Sequence, residues 1–347
     1  MKKICFVLAM LLLLALPMTG CARDYSKEIT VCNWGDYIDM ETVKAFEKET
    51  GIKVNYVTVQ SNEELYSKMK MGGVSYDVIF PSDYMVGRMV EEGMIQKLDF
   101  ANIPNFDEYI DEGLRNPEYD PQNEYSVPYA WGTVGLIYNK TMVDEPVTSW
   151  SILWDEKYKG QILMFDNSRD AIGIALKKLG YSYNTTDETQ LREALDELKK
   201  QKPLVQAWVM DQVFNKMESG EAAIAPYYTG DYFLMLENNE DLEVVIPEEG
   251  SNYYVDAMCV PSTARNKEGA ELFIDYMTRP ENIAKNVEYI SYSSPSEEAR
   301  DLMDPEVADR PICYPTTEEM KQYEVYLNLP YDTRMLYNEL WVELFAN

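Results

Sequence analysis

Apolar residues recur along this chain in two rhythms. Short runs rich in β-branched and aromatic residues, at 28–34, 52–59 and 76–80, predict strands. Between them lie two helical patterns. In 40–50, Val43 and Phe46 fall on one apolar stripe and Gly51 supplies a stop; the next helix is capped near Ser61 and Asn62 and carries Leu65 and Met69 on one face. The resulting order is β-α-β-α-β. A second series starts after Ser149, with a strand at 161–165, helices near 169–179 and 188–201, and strands near 222–227, at 242–246 and beginning near Tyr253. Helical patterns at 267–277, 280–289 and 335–345 complete the chain. Strands alternating with helices predict an α/β protein, and two such series predict two lobes. No repeat, low-complexity tract or long linker separates them, so the lobes are expected to pack closely and share strands at their junction.

The amino terminus follows another pattern. Lys2 and Lys3 precede the apolar run ICFVLAMLLLLALP, which ends in Met18-Thr19-Gly20-Cys21. A membrane-spanning helix needs roughly 20 apolar residues, and this run is shorter and closes on small residues, so residues 1–20 read as a signal peptide. Met18–Cys21 resembles a bacterial lipobox, which implies lipidation of Cys21 and a tether over residues 21–27 before the first strand.

Composition narrows the chemistry. With 31 Lys+Arg against 60 Asp+Glu the chain carries −29, which disfavours nucleic acid and anionic lipid headgroups and suits a cationic solute. Of the cysteines beyond Cys21, Cys32, Cys259 and Cys313 sit in apolar contexts and read as small buried side chains. There is no histidine, which excludes Ser-His-Asp and Cys-His relays, HExxH zinc sites and two-His iron sites. GxSxG, GxxxxGK[ST] and GxGxxG are missing as well. No cofactor or metal is called for. A glycosidase using a carboxylate pair survives on paper, although nothing in the sequence singles out a pair.

Candidate binding residues cluster at the ends of predicted strands, where open α/β sheets hold ligands. The first strand ends in Asn33-Trp34-Gly35-Asp36-Tyr37 and the third in Pro81-Ser82-Asp83-Tyr84. Asp166, Asn167 and Asp170 follow the strand at 161–165, Tyr227 and Tyr228 end another, and Tyr254 and Asp256 stand two apart on one face of a strand. Rings and carboxylates together suit an alkylammonium: its charge and methylenes gain from aromatic faces, and its N–H groups donate charge-assisted hydrogen bonds to acids. A slot walled by rings with acids at its ends fits a chain of methylenes bearing ammonium groups.

NWGDYI (33–38), FEKETGIKV (46–54), SNEELYSKMK (61–70), YDVIFPSDYMVGRMVEEGMIQKLD (76–99), YSVPYAWGT (125–133), VTSWSILWDEKYKGQI (147–162), ALKKLGYSYNTTD (175–187) and NKEGAELFIDYMTRPE (266–281) closely resemble the spermidine/putrescine-binding proteins of bacterial polyamine ABC transporters. The resemblance runs over nearly all of the mature chain. It implies a two-lobed periplasmic-binding-protein fold of type II, with lobe 1 at 28–131 and 257–300 and lobe 2 at 132–256 and 301–347. Hinge crossings are then expected near 129–133, near 256–258 and after about residue 300.

The same resemblance implies the contacts. Trp34, Asp36 and Tyr37 match the family's first-loop cluster, Ser82 and Tyr84 its serine and tyrosine after the third strand, Asp256 its ammonium-pairing carboxylate and Tyr292 a slot-lining tyrosine. Tyr228 and Tyr254 replace family tryptophans, which keeps a π face of smaller area. At the start of the lobe-two helix Asn167 stands at one family carboxylate and Asp170 replaces a glutamate; Asp166 or Asp231 is positioned to restore the lost charge. Tyr326 aligns with a C-terminal glutamine contact. The implied function is non-enzymatic: an extracytoplasmic, lipid-anchored monomer captures putrescine or spermidine and hands it to ABC permease subunits with their ATPase. The rival within the same fold is ferric-ion capture through the phenolates of Tyr227 and Tyr228.

Overall fold

The computed structural model describes residues 25–346; the expected signal peptide and the lipidation site Cys21 lie outside the described residues. The described strands are β1 (Glu28–Asn33), β2 (Lys53–Thr58), β3 (Val78–Ile79), β4 (Ser126–Asn139), β5 (Ile162–Phe165), β6 (Val205–Val209), β7 (Ile224–Tyr228), β8 (Leu242–Val245) and β9 (Tyr253–Cys259). They run in the order β2-β1-β3-β9-β4-β7-β5-β6, with β8 also against β4. β1 is parallel to β2 and β3, and β5 is parallel to β6 and β7. Parallel neighbours need a crossover, and the amphipathic helices legible in the sequence supply it.

β4 joins the two lobes. Ser126 to Thr133 pair with β9, whereas the residues from Val134 onward lie between β7 and β8. Partners therefore change between Thr133 and Val134, and β9 carries the chain back alongside Ser126–Thr133. Pro128 lacks an N–H for the ladder, and the register slips between Pro128 and Ala130. The residue released there is Tyr129, whose ring packs edge-on to Phe80 at 4.8 Å and whose hydroxyl donates to the Tyr37 carbonyl at 2.9 Å. A further connection passes at Glu324, whose N–H donates to the Ser251 carbonyl and whose carbonyl accepts from the Tyr253 N–H. The final helix, Tyr331–Phe345, then packs against Glu188–Gln201 and Ser168–Lys178.

Local signals account for most helix ends. Asp39 caps Met40–Thr50 by accepting from the Glu41 N–H, and Gly51 ends it in a left-handed conformation at φ 72°. Ser61 caps Asn62–Met71, and Asn167 caps Ser168–Lys178. The structure adds elements that periodicity did not reveal: β6, and the helices Asp83–Glu91, Gln212–Glu218 and Thr229–Leu236. These are short, and their apolar faces make sense only against the sheet. The third strand shrinks to Val78 and Ile79, and the last helix starts at Tyr331, behind Pro330. Cys32, Cys259 and Cys313 are buried free thiols.

Candidate functional site

A cavity of about 450 Å³ opens where the two lobes meet, and every residue singled out from the sequence as a ligand contact lines it. The first lobe brings Trp34, Asp36 and Tyr37 from the loop after β1, where the Trp34 N–H donates to the Asn33 side chain at 2.8 Å and turns the chain out of the sheet. It also brings Ser82 and Tyr84 at the head of Asp83–Glu91 and Tyr292 just past the helix Pro280–Ile290, while Tyr254 and Asp256 come from β9, which passes between the lobes. The second lobe contributes Asn167 and Asp170 after β5, Tyr228 from the end of β7, and Tyr326. Of the two acids proposed to restore the missing charge, Asp231 lines the cavity, while Asp166 is exposed and outside it.

Asp256 anchors the wall that carries Tyr37 and Ser82. It is 5% exposed, and its two oxygens accept from the Tyr37 and Ser82 hydroxyls, each at 2.6 Å. Ser82 occupies the N-cap position of its helix yet makes no side-chain cap bond, which frees its hydroxyl for Asp256. The fully buried Asp83 ties this helix to β9 by accepting from the N–H groups of Tyr84 and Val255 at 2.6 and 3.2 Å. Each oxygen of Asp256 keeps a lone pair for a further donor.

Asp170 does the same on the second lobe. Its carboxylate accepts from the Tyr326 hydroxyl at 3.1 Å, from the Tyr228 hydroxyl at 3.4 Å and from the Asn167 amide. The Asn167 oxygen meanwhile caps the helix by accepting from the N–H groups of Arg169 and Asp170. The asparagine that breaks the family's acid pair thus serves to position the remaining acid. Asp231, half-buried, accepts from the Tyr292 hydroxyl at 3.2 Å, a bond that links the lobes.

Rings fill the space between these acids. Tyr37 meets Tyr292 edge-on at 5.2 Å, Tyr292 meets Tyr254 at 6.0 Å, and Tyr254 meets Tyr228 at 5.2 Å; across the cavity Tyr84 and Tyr326 sit 6.2 Å apart. Edge-to-face contacts of this kind fix the ring planes. Three glycines, which no local signal marks, make the room. A Cβ at Gly132 would come within 2.6 Å of the Tyr254 hydroxyl, at Gly173 within 2.8 Å of the Tyr326 hydroxyl, and at Gly230 within 1.8 Å of the Tyr292 ring.

The electrostatics are those of acids lacking counter-charge. Burial pushes the carboxyls of Asp256 and Asp170 each up to about 6, against the hydrogen bonds that favour their ionised forms. Asp231 rises to about 7, chiefly through burial, with the neighbouring charges of Asp211 and Asp256 adding to it. Among the described residues, no basic side chain is a cause of the shift of Asp256 or Asp231. Arg169, the one basic residue among the described lining residues, lies over the Tyr326 ring at 4.5 Å and donates to Asn184 at 2.8 Å. Burial and adjacent acids push the phenols of Tyr227 and Tyr228 well above the ordinary range. The arrangement suits a buried organic cation.

Residues 41–316 match the family described as bacterial extracellular solute-binding protein, and the chain belongs to that family. The spermidine/putrescine-binding periplasmic protein of Escherichia coli K12 is 39% identical over 313 residues, covering 90% of each chain. The putrescine-binding periplasmic protein SpuD of Pseudomonas aeruginosa UCBPP-PA14 is 30% identical, covering 96% of this chain and 97% of its own. Among solved structures, the spermidine/putrescine ABC transporter substrate-binding protein PotD from Streptococcus pneumoniae superposes with a TM-score of 0.81 at 40% identity, over 92% of this chain and 99% of that one.

Proposed function

We propose that this chain is an extracytoplasmic binding protein that captures a polyamine, putrescine or spermidine, between its lobes and delivers it to the permease of an ABC importer. The observation that carries this reading is a set of carboxylates, the buried Asp256 and Asp170 and the half-buried Asp231, set among tyrosine rings with no cation of the described residues paired to Asp256 or Asp231. Holding such charges away from water is costly unless a cation joins them. In this reading one ammonium binds Asp256 between Tyr37 and Ser82, another binds Asp170 or Asp231, and the methylenes lie along Tyr254, Tyr228 and Tyr292. Trp34, Tyr84, Asn167 and Tyr326 complete the walls, and Asp36 stands at the exposed mouth. The names of the relatives support the substrate class. No covalent step takes part.

Lobe 1 (28–131 with 257–300) and lobe 2 (132–256 with 301–347) close on the amine about their shared strands, and the closed form docks on the permease. The pattern of Lys2, Lys3, the apolar run and Met18–Cys21 supports export and lipidation of Cys21. Titration calorimetry of the mature chain gives saturable heat with putrescine or spermidine; no heat with either overturns the proposal.

Binding of a dication draws on ionised carboxylates, so affinity falls as pH drops through the values of Asp231, Asp170 and Asp256, at about 7, 6 and 6. Two such groups together weaken binding by about a hundredfold between about pH 8 and about pH 5. A flat calorimetric pH profile over that window argues against carboxylate-held ammonium groups.

A further inference from the structure

The cavity extends past the residues that a diamine engages. Following the rings from Tyr228 to Tyr227 at 4.9 Å and on to Phe214 at 6.3 Å leads to a part of the lining formed by Met210, Asp211, Phe214 and Leu234. Met210, Phe214 and Leu234 are all half-buried although they belong to the second lobe's interior face, because they border the cavity. Asp211 stands at the N-cap of Gln212–Glu218 but makes no side-chain cap bond. Its charge instead helps to raise the phenol of Tyr227. An apolar passage ending in an acid repeats, at a second place, the chemistry that suits a methylene chain with a terminal ammonium.

We infer that this branch is a further amine pocket, and that the full cavity takes a linear tetraamine, whose extra aminopropyl arm lies against Met210, Phe214 and Leu234 with its ammonium at Asp211. The inference rests on the polyamine reading above. Two observations favour it. The cavity, about 450 Å³, continues beyond the residues a diamine engages to Met210, Asp211, Phe214 and Leu234. Among the described residues, the lining sets the carboxyl groups of Asp36, Glu63, Asp83, Asp170, Asp211, Asp231 and Asp256 against the single guanidinium of Arg169, an excess that a diamine leaves mostly uncompensated.

The test is calorimetry of the mature chain with putrescine, spermidine and spermine, repeated on Asp211→Asn and Leu234→Trp. The first removes the terminal acid at an exposed position and the second fills the passage. Spermine is expected to bind the unaltered protein more tightly than spermidine. Each variant should weaken spermine by about tenfold and leave putrescine within about twofold. Spermine bound more weakly than spermidine, spermine affinity untouched by both variants, or equal losses for spermine and putrescine, overturns the inference while the polyamine reading stands. Absence of heat with all three amines overturns both.

Discussion

Replacing Asp256 with asparagine weakens putrescine and spermidine binding by about 2–4 kcal/mol, roughly 30- to 1000-fold in calorimetric Kd. Asparagine has nearly the shape of aspartate and can still accept from Tyr37 or Ser82, whose hydroxyls now bond the carboxylate at 2.6 Å. It lacks the charge, and an ammonium brought into this site then pays its desolvation cost without a paired anion. An unchanged affinity would remove Asp256 from the site. The same substitution carries an opposite consequence for the ligand-free fold. The Asp256 carboxyl lies at about 6 in the folded chain against an ordinary 3.8, so its contribution to stability is fully present below the unfolded value and is lost as pH rises through about 6. At pH 8 the ionised side chain costs the unliganded protein up to about 3 kcal/mol. Asp256→Asn should therefore raise the Tm of the ligand-free protein near pH 8, and the gain should shrink as pH falls through about 6 and vanish only below about pH 4. A site that stabilises its ligand at the expense of its own empty state is the expected trade.

Gly230→Ala should weaken polyamine binding by about 10- to 100-fold although Gly230 is not itself among the assigned ligand contacts. Alanine favours a helix over glycine by about 1 kcal/mol, and Gly230 lies in the first turn of Thr229–Leu236, so local propensity predicts improvement. The added Cβ would instead fall 1.8 Å from the Tyr292 ring, and with backbone on one side and a buried ring on the other neither can yield cheaply. Displacing Tyr292 breaks its bond to Asp231 and its edge contacts with Tyr37 and Tyr254. Calorimetry on Gly230→Ala, Tyr292→Ala and the double variant checks the coupling: the double variant should bind no worse than Tyr292→Ala alone. Full additivity, or wild-type affinity in Gly230→Ala, would show that the ring moves freely.

Much of this site was legible before any coordinates. The residue types at the strand ends pointed to an organic cation, and resemblance assigned the contacts from Trp34 to Tyr326, all of which converge on one cavity. The role of Asn167 was not legible. Read as a lost carboxylate, it proves to hold the neighbouring Asp170 and cap its helix at once, a double use that depends on where the helix begins. Choosing between Asp166 and Asp231 was equally beyond sequence, since both are acids near strand ends and only the packing of Thr229–Leu236 against Tyr292 brings one of them inside.

What the chain by itself determined were properties set by near neighbours: the alternation that makes strands and helices, the stop at Gly51, the cap at Ser61, and the exclusion of histidine chemistry. The tertiary structure alone decided which distant groups share a hydrogen bond, as Tyr37 and Asp256 do across 219 residues, and which glycines must stay bare beneath a ring. Periodicity reports only the face a residue presents, whereas burial, counter-charge and available volume are fixed when two lobes, folded from separate stretches of chain, close on the same space.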